Sequence, residues 1–162
     1  MDHDDAVLVR ECIGQVYAAR EAFAARFYER FFRELPAARR LFVHDTKRQE
    51  MMLYSVLAMA TRGLEKGRNL DEEMNEFGRR HAHIGAKEAY FPVFGSVFLE
   101  TMFEFLPHCD RARLASSWWG VFSELSERVL VGLRQELEEM AEDRKLFPDH
   151  VVDLNAARTG TD

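Results

Sequence analysis

His81 and His83 are the residues most able to do chemistry in this chain, because a neutral imidazole near physiological pH can ligate a metal, shuttle a proton or switch charge. They stand two apart in "FGRRHAHIGAKEAYFPVFG", residues 77–95, just before a glycine. Residues two apart on a helix project roughly 200° apart, so at most one of the pair faces a buried centre. Leu70, Met74, Phe77 and Ile84 recur at helical spacing, and His81 falls on their stripe, four after Phe77 and three before Ile84. His83 falls off it. Periodicity alone allows His81 to be either a metal ligand or a satisfied core histidine. His83, His44, His3, His108 and His150 read as solvated.

The elements that must position His81 are helical almost throughout. No alternating run bounded by turns suggests a strand, and the expected fold class is all-α. Asp4 and Asp5 can cap a first helix that carries Val9, Cys12, Ile13, Val16 and Tyr17 inward. A second carries Phe23, Phe27, Phe31 and Leu35 and stops at Pro36, and a short helix follows, ending at Phe42. The spacing predicts a long helix from about Thr46 to Leu64, with Gln49, Leu53, Val56, Leu57 and Ala60 on one face. The segment bearing His81 opens at Asn69 or Asp71 and ends at Gly85. A helix from about Lys87 to Leu106 is expected next, and then a longer one capped by Asp110, with Leu114, Trp118, Phe122, Leu125, Val129, Leu133 and Glu136 on one stripe. A single domain is expected over residues 1–144, and 145–162 reads as a loosely ordered extension.

Composition narrows the function classes. The chain of 162 residues is 47% hydrophobic and 12% aromatic, with thirteen Phe and four Pro, which suits a packed core and excludes a disordered chain. A net charge of −6 without a Lys/Arg block argues against nucleic-acid and anionic-membrane partners. The acidic N-terminus and the absence of a membrane-length apolar run imply a cytoplasmic protein. Cys12 and Cys109 make no metal pair by spacing and read as reduced core or surface residues.

These helices, an inward histidine near mid-chain and a Phe closing a short third helix together resemble the globin fold, a 3-over-3 helical sandwich around a haem pocket. The likeness is to single-domain bacterial haemoglobins and the globin domain of flavohaemoglobins, and it covers roughly residues 5–140. "FYERFFRELPAARRLF" is similar to the flavohaemoglobin pattern FYxRxFxxxPxxxxxF without a gap. It puts Tyr28 at the distal tyrosine and Phe42 at the phenylalanine that stacks on haem. "QEMML" resembles the distal-helix segment, with Gln49 as the distal glutamine and Leu53 as the apolar gate, after a loop shorter by three. "RRH" with a glycine fourteen residues on looks like the proximal motif, which implies His81 as the iron ligand and Gly95 as its landmark. Counting on from Trp119-Gly120 places Glu136 at the glutamate behind the proximal histidine. One departure stands out: where the family has a tyrosine ten residues after the histidine, this chain has Phe91, with Tyr90 one place earlier.

The resemblance implies haem b as cofactor, His81 as metal ligand, and Phe42, Leu53, Arg80, Tyr90 and Phe91 around the haem, with Arg80 or Arg79 near a propionate. Tyr28, Gln49 and Glu136 are the implied catalytic set. Tyr28 and Gln49 are uncharged donors suited to a diatomic ligand; behind His81, a carboxylate such as Glu136 would favour oxygen activation and a backbone carbonyl plain reversible binding, and the sequence leaves both open. The implied ligands are dioxygen, nitric oxide and carbon monoxide. The implied activity is reversible oxygen binding, with nitric oxide oxidation to nitrate or a peroxidase-like activity as the enzymatic options. No reductase follows within these residues, so an external electron donor is expected. The alternatives are a haem-based sensor acting through a partner or a homodimer, and a globin-like fold without haem.

Overall fold

The computed structural model describes residues 3–42, 46–63 and 69–146, with Thr46, Val56, Ala60 and Gly63 described in backbone only. The expectations for His44, His150 and the stretch 147–162 lie outside the described residues. Among the described residues six α-helices and one 3-10 helix follow in order: α1 His3–Ala18, α2 Arg20–Glu34, the 3-10 helix Pro36–Leu41, α3 Thr46–Gly63, α4 Asp71–His83, α5 Tyr90–Phe105 and α6 Arg111–Leu146. The fold is all-α, with no strand among the described residues, and no helix among them is long and apolar enough to cross a membrane.

The chain-terminating residues explain most boundaries. Leu35 leaves the helical region ahead of Pro36, which closes α2 and opens the 3-10 helix. Phe42 follows just outside that helix. The acidic first turn of α4 suits the helix dipole, and the Asn69 side chain accepts from the Asp71 N–H at 2.9 Å. Gly85, at φ 82°, ends α4: its N–H bonds the Ala82 carbonyl and the Ala86 N–H bonds the His81 carbonyl, both at 3.0 Å. This paired Schellman closure needs a left-handed residue and fixes the carbonyl of His81 itself. Asp110 caps α6 through the Arg113 N–H at 3.1 Å.

Several sequence expectations are corrected. The helix expected from Lys87 starts at Tyr90; an earlier start would put Pro92 deep enough for its ring to strike a preceding carbonyl, whereas in the first turn it is tolerated. Tyr17, expected inward, is 50% exposed, and Ile84, on the apolar stripe, is 47% exposed because α4 has ended there. The last helix runs past the expected boundary to Leu146.

The core is aromatic. Phe98 stacks on Trp118 at 4.7 Å and meets Phe23 edge-on at 5.1 Å, joining α2, α5 and α6. The Trp118 indole donates to the Gly95 carbonyl at 2.9 Å, pinning α6 to α5. Helix α4 lies on α6 and α2 on α5, with α3 against α2. At the α4/α6 crossing the backbones touch without side chains between them. A Cβ on Gly78 would sit 1.9 Å from the Val129 carbonyl oxygen, and one on Gly132 would sit 2.0 Å from that of Asn75. Only glycine at both positions permits this approach.

Candidate functional site

Between α3, α4 and α5 lies a cavity of about 300 Å³, walled mainly by apolar side chains. The helix boundaries above place its walls. From α2 come Tyr28 and Phe31; Phe42 follows the 3-10 helix; α3 gives Leu53; α4 gives Phe77 and His81; and α5 gives Tyr90, Phe91 and Phe94. Met52 and Ile84 line it too while remaining exposed, which puts them at its mouth.

Among the described residues of this wall, His81 is the one strong donor nitrogen. Its Nδ1 lies 2.8 Å from the Phe77 carbonyl, four residues back on the same helix. A carbonyl only accepts, so Nδ1 carries the proton and Nε2 is left with its lone pair. Burial pushes the imidazole below its ordinary pKa, the nearby Arg80 charge adds to this, and the Phe77 bond opposes it. Phe77 packs its ring 4.2 Å from the imidazole, and Phe91 stands 6.1 Å away on the α5 side. The site thus holds a neutral, oriented imidazole.

Tyr28 faces the cavity across from α4. Its hydroxyl donates to the backbone carbonyl of Gln49 at 2.8 Å, and burial raises its pKa well above the usual tyrosine range. Phe42 meets the Tyr28 ring edge-on at 5.4 Å. Leu53 is fully buried in the same wall. Gln49 is half-buried and meets the site through its main chain; its side chain is not among those lining the cavity.

Two expected neighbours are placed elsewhere. Glu136 was expected behind His81, but its carboxylate takes the Arg79 guanidinium at 2.7 Å and His83 Nε2 at 3.0 Å. The reason is geometric: beyond the Gly132 crossing, α6 reaches the opposite side of α4, where Arg79 and His83 project. His83 is accordingly exposed but paired, rather than simply solvated. Arg80 lies off the cavity on the outer face of α4, 3.7 Å from Glu76.

Sequence reasoning did not single out Phe31, Phe77 and Phe94 as walls, and it left the partner of His81 open between a carboxylate and a backbone carbonyl, of which the structure supplies the carbonyl, that of Phe77.

The donor set can be tested against haem. Among the described residues no group of three or more His, Cys, Asp or Glu could hold a bare metal ion. A metal at His81 therefore needs further donors brought with it, as the four nitrogens of a tetrapyrrole are, and the flat apolar walls suit such a macrocycle. The residues present fit haem.

A globin family model matches residues 25–129. The chain belongs to the globin family. This globin is 25% identical over 127 residues to a flavohemoprotein of Rhizobium meliloti, covering 76% of the chain and 31% of the relative. It is 19% identical over 147 residues to the flavohemoprotein of Bacillus subtilis, covering 89% and 37%. The chain thus spans about a third of the length of those two relatives. It is also 24% identical over 134 residues to cytoglobin-1 of Danio rerio, covering 73% and 77%. Among solved structures, an engineered carbene transferase from Rhodothermus marinus, which carries a provisional assignment as a nitric oxide dioxygenase, superposes with a TM-score of 0.73 at 20% identity, over 87% of this chain and 99% of that one.

Proposed function

We propose that this globin holds haem through Nε2 of His81 and binds diatomic gases on the Tyr28 side of the cavity. The observation that carries the reading is a neutral imidazole, oriented by the Phe77 carbonyl, in the wall of an apolar cavity. When bound, haem supplies an iron with one position open to a small ligand. The rest is the chain's work. The Phe77 bond fixes the ring and its tautomer; Phe42, Leu53 and Phe91 exclude water; and Tyr28 brings a hydroxyl that stays protonated at any physiological pH.

The partner of His81 refines the reading. A carbonyl withdraws no proton from Nδ1, so the imidazole stays neutral, and a neutral ligand favours reversible binding over oxygen activation. We therefore rank reversible dioxygen binding first, with haem b as the cofactor. Oxidation of nitric oxide to nitrate, using an external electron donor, is the enzymatic extension. The flavohemoprotein relatives and the Rhodothermus marinus neighbour support that extension.

The test is the visible spectrum of the purified protein in ferric, ferrous and carbon-monoxide forms, beside His81→Ala. A Soret band that shifts with carbon monoxide in the wild type and is lost or altered in the variant is expected. A wild-type chain that takes up no haem on reconstitution ends the reading.

A further inference from the structure

Apolar side chains stand exposed where the cavity opens. Met51 and Met52 on α3 are 66% and 38% exposed, and Ile84, just past α4, is 47% exposed. Leu41 joins Met52 and Ile84 in the wall, 3.9 Å from the place a Cβ on Gly85 would take. Methionine is flexible and polarisable, and it is enriched on surfaces that receive a protein partner.

The charge around this patch is opposite to that of the whole molecule. Residues 33–48 carry five Arg or Lys against two acids, a net of +3 in a chain of net −6. Arg40 precedes Leu41, Lys47 stands one turn before Met51, and Lys87 follows Ala86, another wall residue. All three cations are exposed and meet no carboxylate among the described residues. Elsewhere Arg26, Arg62, Arg79, Arg128 and Arg134 each hold a carboxylate within 3.3 Å. Haem b brings two carboxylates, too few to neutralise the whole rim. A small apolar centre inside a ring of unpaired charge has the form of a transient protein interface, in which the rim sets the encounter rate.

We propose that the cavity mouth is the docking face for an acidic electron-transfer protein, steered by Arg40, Lys47 and Lys87 onto Met51, Met52 and Ile84. The proposal rests on the haem reading above and on its external electron donor. On docking, the partner loses one electron and the ferric iron gains it to become ferrous, with no bond or proton exchanged. The acidic remainder of the chain repels such a partner, so the rim selects its orientation as well as its sign. The same repulsion disfavours an anionic lipid surface, which would lie against far more of the molecule than the mouth.

The experiment mixes the ferric, haem-loaded protein with reduced flavodoxin, a small acidic flavoprotein, and follows the Soret shift to the ferrous form. Calorimetry with oxidised flavodoxin reads binding directly. Rate and affinity should each fall about ten-fold between about 20 and about 200 mM salt. Arg40→Glu with Lys47→Glu should lower both about ten-fold at low salt. Arg10→Glu with Arg113→Glu, an equal change of net charge placed on α1 and the first turn of α6, should lower them far less. Reduction by dithionite, the Soret band and the melt check that each variant folds and holds haem. Rates and affinities that ignore salt overturn the docking face alone, as does a control pair that matches the rim pair, or a rim pair that loses binding only to phosphatidylglycerol vesicles. A wild-type chain that takes up no haem overturns the haem reading and the electron transfer together.

Discussion

The hydroxyl of Tyr28 gives its proton to the backbone carbonyl of Gln49 at 2.8 Å, so the residue facing the cavity from α2 is tied to the main chain of α3. A hydroxyl has one proton to donate. Any ligand that takes it must compete with a peptide carbonyl, and the bond doubles as a strut between two helices.

Tyr28→Phe should therefore act twice. Loss of the strut should lower stability by about 1 kcal/mol, the usual net worth of a neutral hydrogen bond, read as a shift in the urea midpoint. Oxygen dissociation should speed up several-fold in stopped-flow mixing, short of the full effect of losing a bond to a charged acceptor because the Gln49 carbonyl already shares the donor. An unchanged off-rate would remove Tyr28 from the ligand side.

Glu136→Gln should leave the iron–histidine stretching frequency of the ferrous protein unchanged, because the carboxylate meets Arg79 and His83 and the His81 Nδ1 already has the Phe77 carbonyl. A downshift would show that Glu136 reaches His81 in solution.

Gly132→Ala should cost about 3 kcal/mol, at the upper end of overpacking effects, since the new methyl would lie 2.0 Å from the Asn75 oxygen. At roughly 2–4 °C per kcal/mol for a chain of this size, the melt should fall by about 6–12 °C. A melt within 2 °C of wild type would mean that α4 and α6 can part at little cost.

The haem-free protein should lose stability as it is acidified. Burial holds the His81 pKa below its ordinary 6.5, so the unfolded chain binds the proton more readily. Stability associated with the neutral ring is present above about pH 6.5 and is lost as pH falls through the lowered folded value. Urea midpoints at pH 7.5 and pH 5 should fall further for wild type than for His81→Leu; equal falls would show that the ring titrates freely.

What could be read in the sequence was local. The stripe through Phe77 and His81, the stop at Gly85 and the aromatic run of α2 all follow from spacing along one helix. What could not be read was set between helices. Gly78 and Gly132 look like weak points in helices until the crossing shows that each fits the other's backbone. Glu136 lies on the expected stripe, yet which residue it meets depends on how α6 rolls over α4, and that turned it from His81 to His83. The Tyr28 hydroxyl found a main-chain partner, and residue types carry no sign of such a bond.

At the Gly78 and Gly132 crossing, main chain rests on main chain, with no layer of side chains to shear. The depth of the His81 imidazole is thus registered against the peptide groups of α6 rather than against a packing arrangement. The cavity walls from α2, α3 and α5 can be recut for a larger or smaller guest while the anchoring nitrogen keeps its place, which makes this half of the molecule a fixed jig and the other half the adjustable jaw.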